Sequence, residues 1–268
     1  MPAMNLVITG TSSGIGQVLA QHFVASGHGV WGLARRPQPA IDRFRTGVCD
    51  VGDRRAVEQA AIAIAAQWPH VDGLICCAGT QGAIGPAMTV PPDHWAATVH
   101  ANLAGTFFTI HAFFAALQRC PRRAKVVCFS GGGAAAAREN FSAYGVAKTG
   151  IVRLVETLAV EWRKLPLDIN AVAPGAINTA MTEQIVRASA AAGEKEAAAA
   201  LKQLETGGQS LDKVIGLVEF LLSPESDTLS GKLLSAQWDD WKNFPARREE
   251  LVKSDIYTLR RITENTRP

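Results

Sequence analysis

The sequence predicts a doubly wound α/β fold, a parallel sheet with helices on both faces, and three observations carry that expectation. Short runs rich in β-branched and apolar residues alternate with segments of helical length, the pattern of repeated β-α-β units. The short runs are almost wholly apolar, as strands covered on both faces must be. A glycine-rich bend follows the first run directly and opens the first helix-like segment.

Taken in order, the strand expectations are residues 5–9, 29–34, 73–77, 124–130, 168–173 and 232–236. The helical expectations between them are 15–26, 56–68, 94–119, 143–164 and 211–222, each long and periodic enough for a crossover. Two regions depart from the alternation. Residues 179–206, rich in Ala, Glu and Lys, stand between a strand and a helix, where a lid over the carboxyl ends of the strands belongs. The tail, 238–268, carries Trp238, Trp241, Phe244 and Tyr257 among many charges, which predicts docking on the body or on a neighbouring subunit. The expected organisation is therefore one domain over 1–237, lid included, and a C-terminal extension over 238–268.

Composition narrows the function classes. A chain of 268 residues buries one sizeable core, and no Pro/Gly/Ser-rich linker divides it. Apolar residues at 47% and charged residues at 19% suit a packed globular protein. The net charge of +3 is scattered, so nucleic acid is not an expected partner. Cys49, Cys76, Cys77, Cys120 and Cys128 form no C-x-x-C pair and have no histidine at ligand spacing, so no metal site is predicted and the thiols read as reduced. The start lacks the pattern of a signal peptide and no apolar run reaches the length of a membrane span, which makes the cytoplasm the expected location, without a membrane partner.

The bend reads Thr9-Gly10-Thr11-Ser12-Ser13-Gly14-Ile15-Gly16. Glycines let a backbone turn sharply and approach a phosphate closely, and the first N–H groups and dipole of the following helix then meet its charge. Alone, such a bend serves equally as a turn without ligand. Its place within a β-α-β unit favours a nucleotide.

With its T-G-x-x-x-G-x-G spacing, the chain resembles the classical short-chain dehydrogenase/reductase family. Further motifs appear in the family's order: Cys77-Ala78-Gly79 in the place of its N-A-G tripeptide, Asn102, Tyr144-Gly145-Val146-Ala147-Lys148 as its Y-x-x-x-K pair, and the loop Pro174-Gly175-Ala176-Ile177-Asn178-Thr179. The resemblance runs from residue 5 to about 236 and implies a Rossmann fold, a nicotinamide dinucleotide, a small-molecule substrate and a homodimer or homotetramer. It further implies that Gly10, Ser12, Ser13, Gly14, Ile15 and Gly16 cradle the pyrophosphate, and that Asp50 and Val51 meet the adenine. Ala78 and Gly79 line the cleft, while Pro174, Gly175, Ile177 and Thr179 clamp the nicotinamide end.

NADP(H) is expected rather than NAD(H). At the end of the second strand, an acidic residue would accept from the ribose 2′-hydroxyl and repel a 2′-phosphate. The matching position is Ala34, and Arg35 follows as a partner for that phosphate, unless Arg35 and Arg36 are only solvated charges.

Tyr144 and Lys148 are four apart in a helical segment and share one face. A free phenol titrates near about 10, and an adjacent ammonium is expected to lower that value. In the family resembled, the tyrosine exchanges a proton with the substrate oxygen while hydride moves to or from the nicotinamide. Lys148 holds the ribose there, and Asn102 helps hold a water that links the lysine to solvent.

One position departs from the family. Its serine, thirteen residues before the tyrosine, is here Gly131, in the run Ser130-Gly131-Gly132-Gly133. Ser130 points to the opposite face of a strand unless a bulge re-aims it. Backbone N–H groups of the triglycine could polarise the carbonyl, or the glycines Gly131 and Gly132 could make room for a substrate served by its own hydroxyl or by Ser142, or catalysis is slow or absent. Two functions follow: a ketone reductase or secondary-alcohol dehydrogenase, for which Gly131 to Gly133 and the cluster Asp239, Asp240 and Lys242 prompt the expectation of a polar, sugar-like substrate, or an NADP-binding sensor or scaffold that has lost turnover.

Overall fold

Strands covered on both faces are apolar throughout, and β1 (Asn5–Thr9), β2 (Gly29–Ala34), β4 (Gly73–Cys76), β5 (Ala124–Phe129) and β6 (Leu167–Ala173) are buried along nearly their whole lengths. In the computed structural model, which describes residues 2–264, they join β3 (Phe44–Val48) and β7 (Leu233–Ser235) in one sheet of order β3-β2-β1-β4-β5-β6-β7. Every pairing is parallel. Met1 and residues 265–268, the ends of the expected domain and extension, lie outside the described residues.

The helices are α1 (Gly14–Ala25), α2 (Arg54–Ala65), α3 (Pro92–Val99), α4 (Gly105–Gln118), α5 (Ser142–Glu161), α6 (Ala180–Ala192), α7 (Glu194–Thr206), α8 (Leu211–Leu222) and α9 (Phe244–Lys253). Helices α2, α4 and α5 supply the core on one face, around Ile110, Phe113, Val152 and Val155. On the other face α1 and α8 bury Leu19, Phe23, Leu217 and Leu221. Local sequence starts several helices: the Asp53 carboxylate accepts from the N–H groups of Arg55 and Ala56, and Ser210 accepts from Asp212.

Two expectations need correcting. β3 was not expected as a strand: it is an edge strand in which Phe44-Arg45-Thr46-Gly47-Val48 has no buried residue, so no apolar run announces it. The single helix expected over 94–119 is two helices joined by a widened turn, His100–Ala104, in which the N–H of Gly105 reaches back to His100 O. Close packing accompanies the widening. A Cβ on Gly105 would lie 2.9 Å from a Val51 methyl and 3.1 Å from its carbonyl oxygen.

The order of the sheet reverses between β1 and β4, which places a crevice at the carboxyl ends of those two strands. Gly10 and the segment Cys77 to Gly79 are the residues that leave them.

The C-terminal segment contacts the chain's own body. Phe244 and Leu251 are fully buried, and the Phe244 and Tyr257 rings lie 5.2 Å apart. Leu233 N–H of β7 donates to Tyr257 O at 2.8 Å, and the Lys232 ammonium donates to Ser254 O (2.7 Å) and Ile256 O (3.0 Å). Further on, Leu259 N–H reaches the buried Glu156 of α5 at 2.6 Å.

Candidate active site

The glycine bend follows β1 as spaced. Gly10 takes φ +78°, and a Cβ there would stand 2.9 Å from the backbone of Ala78, so only glycine allows this approach. A Cβ on Gly16 would lie 2.5 Å from Gly10 O. Gly14 takes φ +60°, and a Cβ there would lie 3.3 Å from the Thr179 methyl, so the 174–179 loop packs onto the bend. Unlike α2 and α8, helix α1 begins without a side-chain cap: Ser13 is extended and its hydroxyl bonds no N–H of the first turn. An uncapped helix start behind a bare glycine bend fits a pyrophosphate, whose oxygens the leading N–H groups can meet.

The floor of the crevice is tied together by Thr9, whose hydroxyl accepts from Cys77 N and Ala78 N at 3.1 Å each. Cys77 accepts from the N–H of Gly16, and burial pushes its thiol up to about 12, against the opposing Lys148 charge. The absent Cβ of Gly79 would meet Asn102 Oδ1 at 2.7 Å and Lys148 Nζ at 3.5 Å. The segment 77–79 thus connects the bend at one end with the lysine at the other.

Lys148 is buried on α5, its ammonium donating to Phe129 O at 2.9 Å and lying 5.5 Å from the Tyr144 ring centre. Burial pulls it down to about 8, with the nearby thiols of Cys77, Cys128 and Cys76 opposing. Burial likewise pushes the Tyr144 phenol up to about 12, against the Arg138 charge. This corrects the expected sign. Desolvation of the phenolate outweighs nearby positive charge, and the cation that lowers the value is Arg138, not Lys148.

Asn102 is fully buried at the widened turn, and its amide is committed: Nδ2 donates to Thr80 O (3.0 Å) and Thr98 O (2.8 Å), and Oδ1 accepts from Thr80 N (3.1 Å). The side chain therefore anchors the loop that follows Gly79.

Gly131 stands opposite the tyrosine, where a Cβ would lie 2.7 Å from the Tyr144 hydroxyl. Ser130 is turned away, buried and donating to Lys148 O at 3.3 Å, so no bulge re-aims it. Ser142 accepts from the Trp95 indole N–H at 3.0 Å. Over the phenol sits a small apolar cluster in which Ile185, Ala192 and Ala200 of α6 and α7 pack with Phe141 and Tyr144.

The profile of a family described as enoyl-(acyl carrier protein) reductase matches residues 10–237. The chain belongs to the short-chain dehydrogenase/reductase family. It is a short-chain dehydrogenase/reductase with 26% identity over 266 residues to a short chain dehydrogenase of Monascus purpureus, covering 92% of this chain and 85% of that one. With levodione reductase of Leifsonia aquatica it shares 26% identity over 243 residues, covering 85% and 91%. A ligand-free aldohexose dehydrogenase structure from Thermoplasma acidophilum has the same fold, with a TM-score of 0.77 at 22% identity over 87% of this chain and 92% of that one. As a short-chain dehydrogenase/reductase, the protein is an oxidoreductase that moves hydride between a nicotinamide dinucleotide and a ketone or secondary alcohol.

The remaining expected residues are spread around this centre. Asp50 is exposed and accepts from Gly52 N at 2.9 Å within a turn, while Val51 packs against Gly105. Gly175 takes φ +87° between Pro174, whose carbonyl accepts from Gln237, and the buried Ile177. Thr179 caps α6. Arg35 is exposed, and it is Arg36 whose guanidinium crosses the bend, donating to Ser12 O (3.0 Å) and to its hydroxyl (3.2 and 3.3 Å). The tail charges that suggested a sugar-like substrate are used locally: Asp239 accepts from Ser235 N and Asp240 from the Asn243 amide, both at 2.7 Å. Sequence reasoning gave no role to Arg138 or Thr9. Thr9 opens the glycine motif, whereas nothing in the run Ala134 to Ala137 marks the arginine that follows it.

His70, Asp72 and Cys120 come together at the opposite end of β4. Asp72 there accepts from Asn5 N (2.8 Å), Arg122 (2.7 Å) and the Cys120 thiol (3.3 Å), which makes the group a clasp between loops. No helix among the described residues is long and apolar enough to cross a membrane.

Proposed function

We propose that the protein is an NADP(H)-dependent reductase of a ketone on a small polar molecule, or the dehydrogenase of the matching secondary alcohol, with Tyr144 carrying the proton. The observation behind this reading is the segment 77–79, which packs on the glycine bend through Ala78 and against Lys148 and Asn102 through Gly79. One floor thereby serves both the phosphate cradle and the acid–base pair.

NADP(H), when bound, supplies or accepts the hydride at its nicotinamide. Gly10, Gly14 and Gly16 let the bend come close to the pyrophosphate at the start of α1, and the 174–179 loop closes against the bend at Thr179. Preference for the 2′-phosphate rests on the buried, uncharged Ala34 and on Arg36, with Arg35 beside it. In the direction of reduction, Tyr144 gives its proton to the substrate oxygen. A phenol held near about 12 is protonated at neutral pH and ready for that step. Lys148, held near about 8, keeps its charge at neutral pH and stabilises the phenolate left behind. Asn102 is a positioning residue acting through Thr80. Gly131 leaves the substrate oxygen without a neighbouring serine, so the phenol approaches it unaided.

Helices α6 and α7 act as the lid, and the substrate enters when they lift from Tyr144. Association into a homodimer or homotetramer draws support from the apolar surface on α3 to α5, where Trp95, Val99, Leu103, Phe107 and Leu154 line a groove. Five free thiols suit a reducing compartment such as the cytoplasm.

The test is turnover of NADPH and NADH with a panel of ketones. General acid–base catalysis contributes about 10²–10⁴ in rate, so Tyr144→Phe should lower kcat by about that factor while NADPH affinity holds. Unchanged kcat in this variant removes Tyr144 from the mechanism. A sensor without turnover has Gly131 in its favour, and it would bind NADPH yet fail on every ketone.

A further inference from the structure

Arg138 follows the triglycine run and is held in one orientation. Its Nε and Nη2 both donate to one oxygen of Glu196 on α7, at 3.1 and 2.7 Å, and its guanidinium carbon lies 3.8 Å from the Phe141 ring centre. The side chain is only 19% exposed. Glu196 thus occupies one edge of the guanidinium. The remaining nitrogen, Nη1, has no protein acceptor among the described residues.

That nitrogen lies beside Gly132. A Cβ on Gly132 would stand 3.7 Å from Nη1 and 3.9 Å from Cδ of Arg138, while a Cβ on the preceding Gly131 would stand 2.7 Å from the Tyr144 hydroxyl. The phenol hydroxyl thus takes the place of a side chain at Gly131 and Nη1 of Arg138 borders that of Gly132, which sets an acid and an unengaged N–H donor beside consecutive residues. A charged N–H donor in a partly desolvated place is matched by one oxygen of a carboxylate. A phosphate dianion suits it less, because Glu196 already places one negative charge against the same guanidinium.

We propose that Arg138 determines specificity by binding a carboxylate on the substrate, so that the protein acts on oxo acids and the corresponding hydroxy acids. The proposal rests on the reading of Tyr144 as the residue that meets the ketone. Gly132 is the position that keeps Nη1 of the guanidinium open, and Glu196 sets its direction from the lid.

The experiment compares 2-, 3- and 4-oxo acids with their methyl esters on the NADPH-bound protein. The acid of at least one pair should have a kcat/KM at least tenfold above its ester. Arg138→Gln should raise KM for that acid at least tenfold more than for the ester, and Arg138→Lys should recover part of the loss. Glu196→Gln, which removes the competing carboxylate, should lower KM for the acid severalfold. A latch without a substrate role would make Arg138→Gln and Glu196→Gln alike on acid and ester, and that result overturns the proposal, as does equal or better use of every ester by the unaltered protein. Calorimetric titration of the same oxo acids into the protein with NADP⁺ keeps the two readings apart. Binding that Arg138→Gln weakens at least tenfold, without turnover, supports Arg138 and counts against Tyr144. No binding of any oxo acid overturns the proposal for Arg138.

Discussion

The hydroxyl of Tyr144 occupies space that a side chain at Gly131 would need, 2.7 Å from the position of the missing Cβ. Glycine here goes with a different seat for the phenol from the one a serine would allow. Gly131→Ser should therefore lower kcat, where a simple restoration of the family's serine would raise it. Forcing a group into this packed place costs about 1–3 kcal/mol. Steady-state kinetics and a thermal melt on the same preparation read both effects.

Lys148 links activity and stability in opposite directions. An ammonium whose value burial lowers from 10.5 to about 8 disfavours the folded state fully below pH 8, and that cost fades as pH rises towards 10.5. The shift corresponds to roughly 3 kcal/mol, partly offset by the bond to Phe129 O. Lys148→Met should therefore melt a few degrees higher near pH 7 while losing most of its turnover. Melting temperature and kcat, measured together, decide it.

The same group sets a pH limb. Reduction should fall as pH rises through about 8, where Lys148 loses its proton, while Tyr144 near 12 stays protonated throughout. Lys148→Arg, to the extent that it retains activity, should lack that limb, because guanidinium keeps its charge. Rate profiles between pH 6 and 10 provide the check.

How much of this was legible in the sequence depended on how local its cause was. Strands such as β4 and β5 announced themselves because burial on both faces demands an unbroken apolar run. The edge strand β3 did not, since Arg45 and Thr46 answer to no such demand. Tyr144 and Lys148 were visible because their spacing stands among the family's other motifs, but their tuning was not. The rise of the phenol comes from residues that the chain brings over it from 185 to 200, a long-range burial that no short window contains. The widened turn at Asn102 was hidden for the same reason: its neighbours read as plain helix, and the bonds to Thr80 cross from another loop.

Cofactor preference is predicted to follow Arg36 more than Arg35. Arg36→Ala should cut kcat/KM for NADPH about tenfold, the scale of a charge-assisted contact, and leave NADH nearly unaffected. Arg35→Ala should do less. The ratio of the two cofactor efficiencies in each variant measures this, and a larger effect at Arg35 would reverse the assignment.

Asn102→Ala removes three hydrogen bonds from a fully buried amide and leaves Thr80 N and O without it. A loss of about 2–4 kcal/mol is expected. Denaturant unfolding gives that number, and NADPH affinity should weaken with it, because the loop after Gly79 loses its anchor.

The strap formed by residues 254–259 has a consequence for solubility. β7 ends the sheet, and an open last strand offers unpaired backbone groups on which another chain can add itself. Tyr257 takes up one of those groups, and the carbonyls of Ser254 and Ile256 cover the Lys232 ammonium. Cutting the chain before this strap would bare a sticky rim and an orphaned charge together, so such a shortened protein would be lost first to aggregation, with its chemistry still intact.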